Sequence, residues 1–377
     1  MARPAAGRNA TEVGHGVDRR PGRRVRVFTR CAVWWTAWMT TTPLWRRPLH
    51  QRVDRLAVAD DAVVVHERNT RLVRVAPDSG AATWDVPVGP WPRELVVAED
   101  RCLVLPAAPP HLLCLDLATG HVVWRADVPD HTGNLVVADG AVLVGGWRGY
   151  TPVLAFDLAT GRPLWRDDRP ATRPLAVDDA VVLGDPGGDL VRSVGARDGA
   201  TRVRWTLPAP LPTGDGAVFA RAGADVVARC AGDLLARLAP DGGLDFARLP
   251  ATPLSATSPS GGLLPVAPIV LGDLLWLPEW PTGCTALDAR TGEVAWRIDP
   301  GAPVTSVLPH RGVHLVASGV VRSVGADGRV LGRTWTGEHV TALHRLGDDV
   351  LAVGRSALSR LRGPWPGADP PAPQVVR

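Results

Sequence analysis

Short runs of alternating apolar and polar residues, separated by turn-forming residues, fill most of the chain. In one representative stretch, four such runs cover residues 93–100, 101–106, 111–118 and 121–128. Alternation with a period of two is typical of β-strands with one buried face, and the Asp and Gly residues between the runs suit tight hairpins. The chain also has 40 Gly and 36 Pro, which disfavour long helices. The pattern predicts an all-β protein.

A motif of the form Asp-x-x-Thr-Gly-x-x-x-Trp-Arg recurs along the chain. It is complete at residues 116–125, 157–166 and 288–297, and weaker copies occur elsewhere. The positions of the motif tryptophan, or of its replacement, are Trp45, Trp84, Trp124, Trp165, Trp205, Phe246, Trp296 and Trp335. They are 39 to 41 residues apart, except for one 50-residue step that contains the polar stretch 251–262. A period near 40 residues with four strands per unit predicts the blades of a β-propeller.

The two ends of the repeat region complement each other. After Trp335, three further strands are predicted near residues 339–347, 348–354 and 357–362, and they lack a fourth. Residues 43–49 read as a fourth strand without the other three. Pairing this N-terminal strand with the last three closes a ring and removes an exposed sheet edge. We therefore predict an eight-bladed β-propeller of four-stranded blades over residues 43–362.

The segments outside the propeller are predicted to be tails. Residues 1–42 are interpreted as a disordered basic tail or as an over-long start, since Met39 is the only other methionine. A weak export signal is the alternative, because a basic stretch precedes the apolar residues 31–39. Residues 363–377 are Pro-rich and are also expected to be disordered. A cytoplasmic location is favoured, with export as the alternative, because the five cysteines show no disulfide framework.

Charge and composition exclude several classes of function. The net charge is +4, but residues 1–38 hold eight Arg and two acidic residues, so 34 Arg and 36 acidic residues remain elsewhere. A near-neutral body argues against nucleic-acid binding, which depends on clustered cations. The chain has no Lys, which excludes lysine Schiff bases and lysine-dependent phosphate loops. No run of 18 apolar residues predicts a transmembrane helix.

The motif residues are expected to build blades, because they recur with the blade period. Asp can bond the backbone of its own turn, Gly adopts positive φ, and the Trp ring can seal the gap between neighbouring blades. The set is Trp45, Trp84, Trp124, Trp165, Trp205, Trp296, Trp335, Asp116, Gly120, Asp157, Gly161, Asp288 and Gly292.

The motif resembles the repeat of the pyrroloquinoline-quinone (PQQ) family, whose propellers have tryptophan-docked blades. The resemblance covers about residues 43–362 and is strongest at the three complete copies. It implies one of two functional groups. Quinoprotein dehydrogenases hold PQQ and usually calcium on the propeller axis, whereas members such as the lipoprotein of the outer-membrane BAM complex are non-enzymatic scaffolds.

The scaffold group is favoured over the dehydrogenases. Quinoprotein alcohol dehydrogenases resemble one another in a pair of adjacent cysteines and a Glu/Asn calcium site, but no two cysteines are adjacent here, and Asn occurs only at positions 9, 69 and 134. The histidine pairs 310/314 and 339/344 would suit a metal only on a helix. We expect no catalytic residue, no cofactor and no metal, and whether the protein is an enzyme stays open.

Residues that do not repeat are the better candidates for a site. Large aromatic residues with Arg in exposed loops are typical of interfaces, and the interaction-face candidates are Trp91, Arg93, Trp147, Arg148, Tyr150, Glu279 and Trp280. Residues at the starts of innermost strands could line an axial funnel, and these are Asp54, Arg55, Glu94, Asn134, Arg173 and His339. We therefore predict a monomeric scaffold with a protein partner. The alternative is a propeller that binds a small polar ligand or a quinone at an axial site, with oxidoreductase activity as one form of this alternative.

Overall fold

The computed structural model is an all-β structure in which sequential strands form eight sheets. It describes residues 38–40, 42–50, 53, 55–59, 62–67, 70–146, 151–213, 217–232, 234–248, 269–278, 282–310, 312–325 and 327–363. The predicted tails at 1–37 and 364–377, and the polar stretch 251–262, lie outside these residues. No helix long and apolar enough to cross a membrane occurs in the part of the chain that the structure describes.

The first four blades follow one another along the chain, each with its innermost strand first. Blade 1 consists of β3 (Arg55–Ala59), β4 (Ala62–Glu67), β5 (Arg71–Val75) and β6 (Ala82–Pro87). Blade 2 consists of β7 (Glu94–Ala98), β8 (Arg101–Leu105), β9 (His111–Asp116) and β10 (Val122–Asp127). Blade 3 consists of β11 (Leu135–Ala138), β12 (Ala141–Val144), β13 (Val153–Asp157) and β14 (Pro163–Asp167). Blade 4 consists of β15 (Leu175–Val177), β16 (Ala180–Gly184), β17 (Leu190–Gly195) and β18 (Thr201–Thr206).

The last four blades repeat this order, and the final one borrows its outer strand from the start of the chain. Blade 5 consists of β19 (Phe219–Ala222), β20 (Asp225–Cys230), β21 (Leu234–Leu238) and β22 (Leu244–Arg248). Blade 6 consists of β23 (Ile269–Leu271), β24 (Leu274–Pro278), β25 (Cys284–Asp288) and β26 (Val294–Ile298). Blade 7 consists of β27 (Val304–Pro309), β28 (Val313–Ala317), β29 (Val320–Val324) and β30 (Val330–Trp335). Blade 8 consists of β31 (Val340–Leu346), β32 (Asp349–Gly354), β33 (Ala357–Leu361) and β2 (Trp45–Pro48).

The eight blades form a closed ring, which confirms the predicted fold and its closure. The inner strands β3 and β7 contact each other, and so do β7 and β11, β11 and β15, β15 and β19, β19 and β23, and β27 and β31. Strand β31 contacts β3, which brings the last blade against the first. Strand β2 pairs antiparallel with β33, so the outer strand of blade 8 comes from the N-terminal side of blade 1.

Blade 7 carries a fifth strand. Strand β1 (Trp38–Thr40) pairs in parallel with residues 333–335 of β30. These three residues fall in the segment 1–42, which the sequence places in a tail. That interpretation therefore ends before Trp38, and residues 1–37 lie outside the described part of the chain.

The core lies between the blades. All six residues of β4 and all six of β32 are buried, because both faces of a second strand pack against neighbouring blades. The clusters of buried apolar residues combine side chains of consecutive blades. In one of them, Leu103 and Leu112 of blade 2 pack with Val142 and Val144 of blade 3. Full burial of such a side chain contributes about 1.5–3 kcal/mol.

Tryptophans on outer strands lie against a turn glycine of the following blade at five seams. The pairs are Trp45 with Gly80, Trp84 with Gly120, Trp124 with Gly161, Trp165 with Gly199, and Trp296 with Gly328. A Cβ atom on any of these glycines would lie 2.6–2.9 Å from a ring atom, and each glycine has a φ between +65° and +80°. Only glycine meets both conditions without strain. The indole Nε1 atoms of the first four tryptophans donate to backbone carbonyls of Pro77, Leu117, Leu158 and Ala196.

Trp205 does not occupy this docking position, contrary to the expectation. The position lies four residues after the turn glycine, and from Gly199 that count reaches Val203. A Cβ atom on Gly242 of blade 5 would lie 3.6 Å from Val203 Cγ1. Trp205 lies two residues further along β18, where it is 4% exposed and packs in the core between blades 4 and 5. At this seam Val203 takes the docking position and Trp205 fills the core beside it.

Trp335 and Phe246 also differ from the expectation. In blade 7 the residue four positions after Gly328 is Gly332, and Trp335 is 38% exposed. In blade 5, β22 pairs with β21 without the register shift that precedes the docking tryptophan in β10, β14 and β26. Because the shift is missing, Phe246 is 64% exposed, and Ala247 lies against Gly292 instead.

A buried histidine in blade 7 makes the fold sensitive to acid. His314 Nδ1 lies 3.1 Å from Ser323 Oγ, and its Nε2 lies 2.9 Å from the carbonyl oxygen of His310. Burial lowers the pKa of His314 from 6.5 to about 4. Burial also lowers the pKa of His344 in β31. The His314 ring is therefore neutral in the folded protein at pH 5, whereas an unfolded chain would protonate it.

We expect the free energy of unfolding to fall as the pH drops from 7 to 5. In this window the unfolded state binds protons that the folded state excludes. The contribution of neutral His314 to the free energy of unfolding is therefore fully present above pH 6.5 and is lost as the pH falls toward 4. For His314 alone the loss at pH 5 is about 2 kcal/mol. Urea unfolding at both pH values measures it, and the His314→Gln variant should show a smaller decrease. An equal decrease in both proteins would contradict this role.

Candidate functional site

The described candidates lie at one end of the propeller, here called the loop end. It carries the loops that join each outer strand to the next inner strand, and those that join second to third strands. Trp91 and Arg93 lie in the loop between β6 and β7. The interaction-face candidates Trp147, Arg148, Tyr150, Glu279 and Trp280, and the funnel candidate Asp54, lie outside the described residues.

Trp91 is held outward by a loop that is anchored on both sides. The indole is 66% exposed, and its neighbours in the sequence are Pro90 and Pro92, whose rings fix their φ angles. The carbonyl oxygens of Pro90 and Trp91 accept hydrogen bonds from the amide of Ala107, in the next loop of the same end. A Cβ atom on Gly89 would lie 2.5 Å from the carbonyl oxygen of Ala108, so the two loops are in close contact. The loop presents an aromatic ring on a fixed backbone.

Among the described residues, the backbone at this end adopts positive φ at four residues other than glycine, which are Trp91 at 47°, His131 at 61°, Asn134 at 54° and Ser318 at 51° in the hairpin between β28 and β29. Glu99, Asp139 and Asp178 also have positive φ, but they lie in two-residue hairpins, where this conformation is usual. For a bulky residue such as tryptophan, left-handed backbone is uncommon and costs about 1–2 kcal/mol. Such strain persists where the surroundings impose it, often at functional sites.

Arg93 ties this loop to the next one. Its Nη1 donates to the carbonyl oxygen of Thr132 at 3.0 Å, and its Nη2 lies 3.5 Å from His131 Nδ1. The backbone carbonyl of Arg93 accepts a hydrogen bond from Arg55 Nε at 3.0 Å. The guanidinium groups of blades 1 and 2 therefore link the loop end across two seams. We call Trp91, Arg93 and His131 the Trp91 surface.

The remaining funnel candidates are paired with protein groups. Glu94 at the start of β7 accepts from Arg173 Nη2 at 3.0 Å, which joins blade 2 to the start of blade 4. Asn134 is buried, and its Nδ2 donates to the carbonyl oxygen of Gly146 at 3.0 Å. His339 lies against Gly319, in a turn of blade 7. These contacts hold parts of the loop end together, and the axial-ligand alternative stays a prediction.

Comparison with known proteins identifies the repeat. Residues 68–297, more than half of the chain, match the family model described as outer membrane protein assembly factor BamB. The chain belongs to this family. The resemblance to PQQ-repeat propellers of the BAM-scaffold kind is thereby confirmed. Among curated proteins, no sequence matches the chain.

Solved structures show how widely the fold of this BamB-family propeller occurs. BamB from Moraxella catarrhalis is 15% identical with a TM-score of 0.66, and the match covers 86% of this chain and 98% of that one. The computationally designed Ika8 protein is 14% identical with a TM-score of 0.65, and coverage is 85% and 100%. Sqt1 from Saccharomyces cerevisiae is 10% identical with a TM-score of 0.66, and coverage is 86% and 100%. At these identities the likeness is one of fold, and fold does not fix function.

The acidic motif residues of the BamB-family propeller serve its turns at the opposite end. Asp116 Oδ1 accepts hydrogen bonds from the amide and the hydroxyl of Thr119, and Asp157 does the same with Thr160. Hydrogen bonds to Thr119 hold the pKa of Asp116 below its usual value, and those to Thr160 and Arg197 do so for Asp157. Asp288 accepts from the amides of residues 290 and 291, which also lowers its pKa. Within the described residues, no group of three or more His, Cys, Asp or Glu could hold a metal ion.

Sequence reasoning missed His131 of the Trp91 surface and the carbonyl of Thr132, which accepts a hydrogen bond from Arg93. Both lie in the loop 128–134, at the position in blade 3 that corresponds to the Trp91 loop in blade 2. The sequence Pro-Asp-His-Thr-Gly-Asn marks a loop but does not show that a guanidinium from the previous loop reaches it. The only feature of the sequence that could have indicated these two groups is that the loop 128–134 occupies the same position in its repeat as the Trp91 loop does in the previous repeat.

Proposed function

We propose that this BamB-family propeller is a scaffold that binds a protein partner at its loop end, with Trp91 as the anchor. The observation that carries the proposal is a 66%-exposed tryptophan held on a strained, hydrogen-bonded loop. Buried aromatic anchors supply much of the binding energy at protein interfaces. A loop that is already ordered loses little conformational entropy when a partner binds.

The surroundings of Trp91 suit a protein surface. Arg93 and His131 lie beside the aromatic loop and can donate to carbonyl or carboxylate oxygens at the rim of an interface. Interfaces are enriched in tryptophan and arginine, and a polar rim around an aromatic centre is their usual composition. The name of the family model, an assembly factor, supports a role in binding other proteins. The candidates Trp147 and Trp280 stay predictions for the same face.

Replacing Trp91 with Ala is expected to release the partner. The tagged full-length chain and the Trp91→Ala variant would be used as baits in the native lysate, and the captured proteins compared quantitatively. The affinity of a partner identified with the parent would then be measured with purified proteins. A central aromatic anchor contributes at least about 2 kcal/mol, which corresponds to an affinity about 30-fold lower in the variant.

Phe246→Ala is the matched control, because Phe246 is 64% exposed but lies on an outer strand of blade 5. It should keep the partner. The proposal is wrong if Trp91→Ala binds the partner as tightly as the parent does, or if Phe246→Ala weakens binding as much. Equal melting temperatures of the three proteins would show that the loss does not come from unfolding.

A further inference from the structure

The outer edge of blade 7 differs from the edges of the other blades in the described chain, because a separate segment is paired with it. Residues Trp38, Met39 and Thr40 of β1 lie opposite residues 333, 334 and 335 of β30. The pairing is parallel, whereas every other strand pair in the described sheets is antiparallel. In those other seven sheets the outermost strand has one neighbour. Strand β1 is therefore an addition to a finished four-stranded blade.

The composition of β30 makes it a suitable acceptor for a strand. Its sequence is Val-Leu-Gly-Arg-Thr-Trp, with a single charged residue, Arg333. Leu331 is 39% exposed and Trp335 is 38% exposed. Sheet edges that avoid added strands usually carry several charges, a proline or a bulge. The register shift of β30 lies between Val330 and Gly332, before the residues 333–335 that pair with β1. The outer edge of β30 offers backbone groups beside partly exposed apolar side chains, which favours pairing with an extended peptide.

The contact between β1 and β30 is small. Three residues pair, fewer than in a typical strand, and parallel pairing is slightly weaker per residue than antiparallel pairing. The segment is tethered to β2 by residues 41–44, so its local concentration at the edge is high even though its own affinity is low. Weakly held edge elements open readily without unfolding the rest of a domain.

We propose that the outer edge of blade 7 is a strand-addition site that the chain fills with its own residues 38–40. The occupant is this segment, held there by its tether. When the tethered segment detaches, a free peptide of the same sequence can pair with the edge through main-chain hydrogen bonds and compete with it. The site lies on the side of the ring and does not involve the Trp91 surface.

A synthetic peptide of residues 33–42 with a fluorescent label tests the proposal by fluorescence anisotropy. It would be titrated with the full chain and with a chain that begins at Thr42, which lacks β1 and keeps all eight blades. The peptide should bind the shortened chain at least about tenfold more tightly, because the tethered segment competes in the full chain. A second peptide with Met39→Pro should not bind, since proline removes an amide donor and disturbs strand pairing.

Hydrogen exchange gives an independent readout. Backbone amides of β30 should exchange faster in the chain that begins at Thr42 and should regain protection when the peptide is added. Equal binding of the peptide to both chains, binding of the proline peptide, or unchanged exchange in β30 would each overturn the proposal. The result does not depend on the partner proposed for Trp91, so the two proposals can fail separately.

Discussion

Removing residues 1–50 is expected to abolish cooperative unfolding, because the deletion takes away β2 and opens the ring. Trp45 in β2 is 8% exposed and packs on Gly80 of blade 1. Arg47 donates to the carboxylate of Glu67, which is fully buried in blade 1, at 3.1 Å. Loss of a buried tryptophan costs about 3–5 kcal/mol, and loss of one partner of a buried ion pair costs a similar amount. Together these losses are comparable with the whole stability of a domain, about 5–15 kcal/mol.

The comparison is with a chain that begins at Thr42. It keeps β2 and its pairing with β33, so its free energy of unfolding should differ from that of the parent by less than about 1 kcal/mol. Thermal unfolding followed by circular dichroism distinguishes the two truncations. If the chain that lacks residues 1–50 melts in the same sharp transition as the parent, ring closure through β2 does not stabilise the propeller.

The strands could be predicted closely because their signals are local. The predicted strand 111–118 is observed as His111–Asp116, and the predicted strand 357–362 as Ala357–Leu361. Period-two alternation and Asp-Gly turns act within about ten residues, and they agree with the tertiary structure in every blade. The ring closure was also predictable. One predicted strand precedes the repeats and three predicted strands follow them, and pairing these four completes the last blade.

The docking tryptophans were only partly predictable, because a register shift decides which way a ring points. In β10 the shift between Val122 and Trp124 turns the ring toward the next blade. Strand β22 has no shift, and Phe246 points outward. A count of four residues from the turn glycine would have selected Val203 rather than Trp205. Matching the repeats by their tryptophans alone does not show which residue occupies the docking position.

The candidate site was the least predictable part, since exposure depends on distant contacts. Trp91 and Trp124 both lie among apolar residues in the sequence, yet one ring is 66% exposed and the other is 8% exposed. The flanking prolines of Trp91 indicate a rigid loop, but its attachment to Ala107 depends on the packing of two loops. The same applies to the reach of Arg93 to Thr132, which crosses from one blade to the next.

Replacing Trp124 with Ala is expected to lower the free energy of unfolding by about 3–5 kcal/mol. The ring fills the seam between blades 2 and 3, and its Nε1 donates to the carbonyl oxygen of Leu158 at 2.8 Å. The exposed Phe246 is a control of similar chemistry, and Phe246→Ala should change stability by less than about 0.5 kcal/mol. Urea unfolding at pH 7 measures both. A loss below about 1 kcal/mol for Trp124→Ala would contradict a sealing role.

The contact between Trp124 and Gly161 predicts a coupling that a general loss of packing would not show. Gly161→Ala places a Cβ atom 2.6 Å from Trp124 Cδ2, on a backbone with a φ of +71°. Gly232 has the same φ of +71° and no atom within 4 Å of such a Cβ, so Gly232→Ala isolates the backbone cost of about 1–2 kcal/mol. Overlap with the ring should add about 1–3 kcal/mol to Gly161→Ala.

That additional cost should disappear when Gly161→Ala is made in the Trp124→Ala background, because the ring is no longer there to be displaced. The double variant should therefore be more stable than the sum of the two single losses predicts, by about 1–3 kcal/mol. Additive losses would mean that the ring does not rest on this glycine. Since the same ring-on-glycine pair recurs at five seams, a positive coupling here gives the physical reason why the motif keeps Trp and Gly together: each residue is tolerated at its position because of the other.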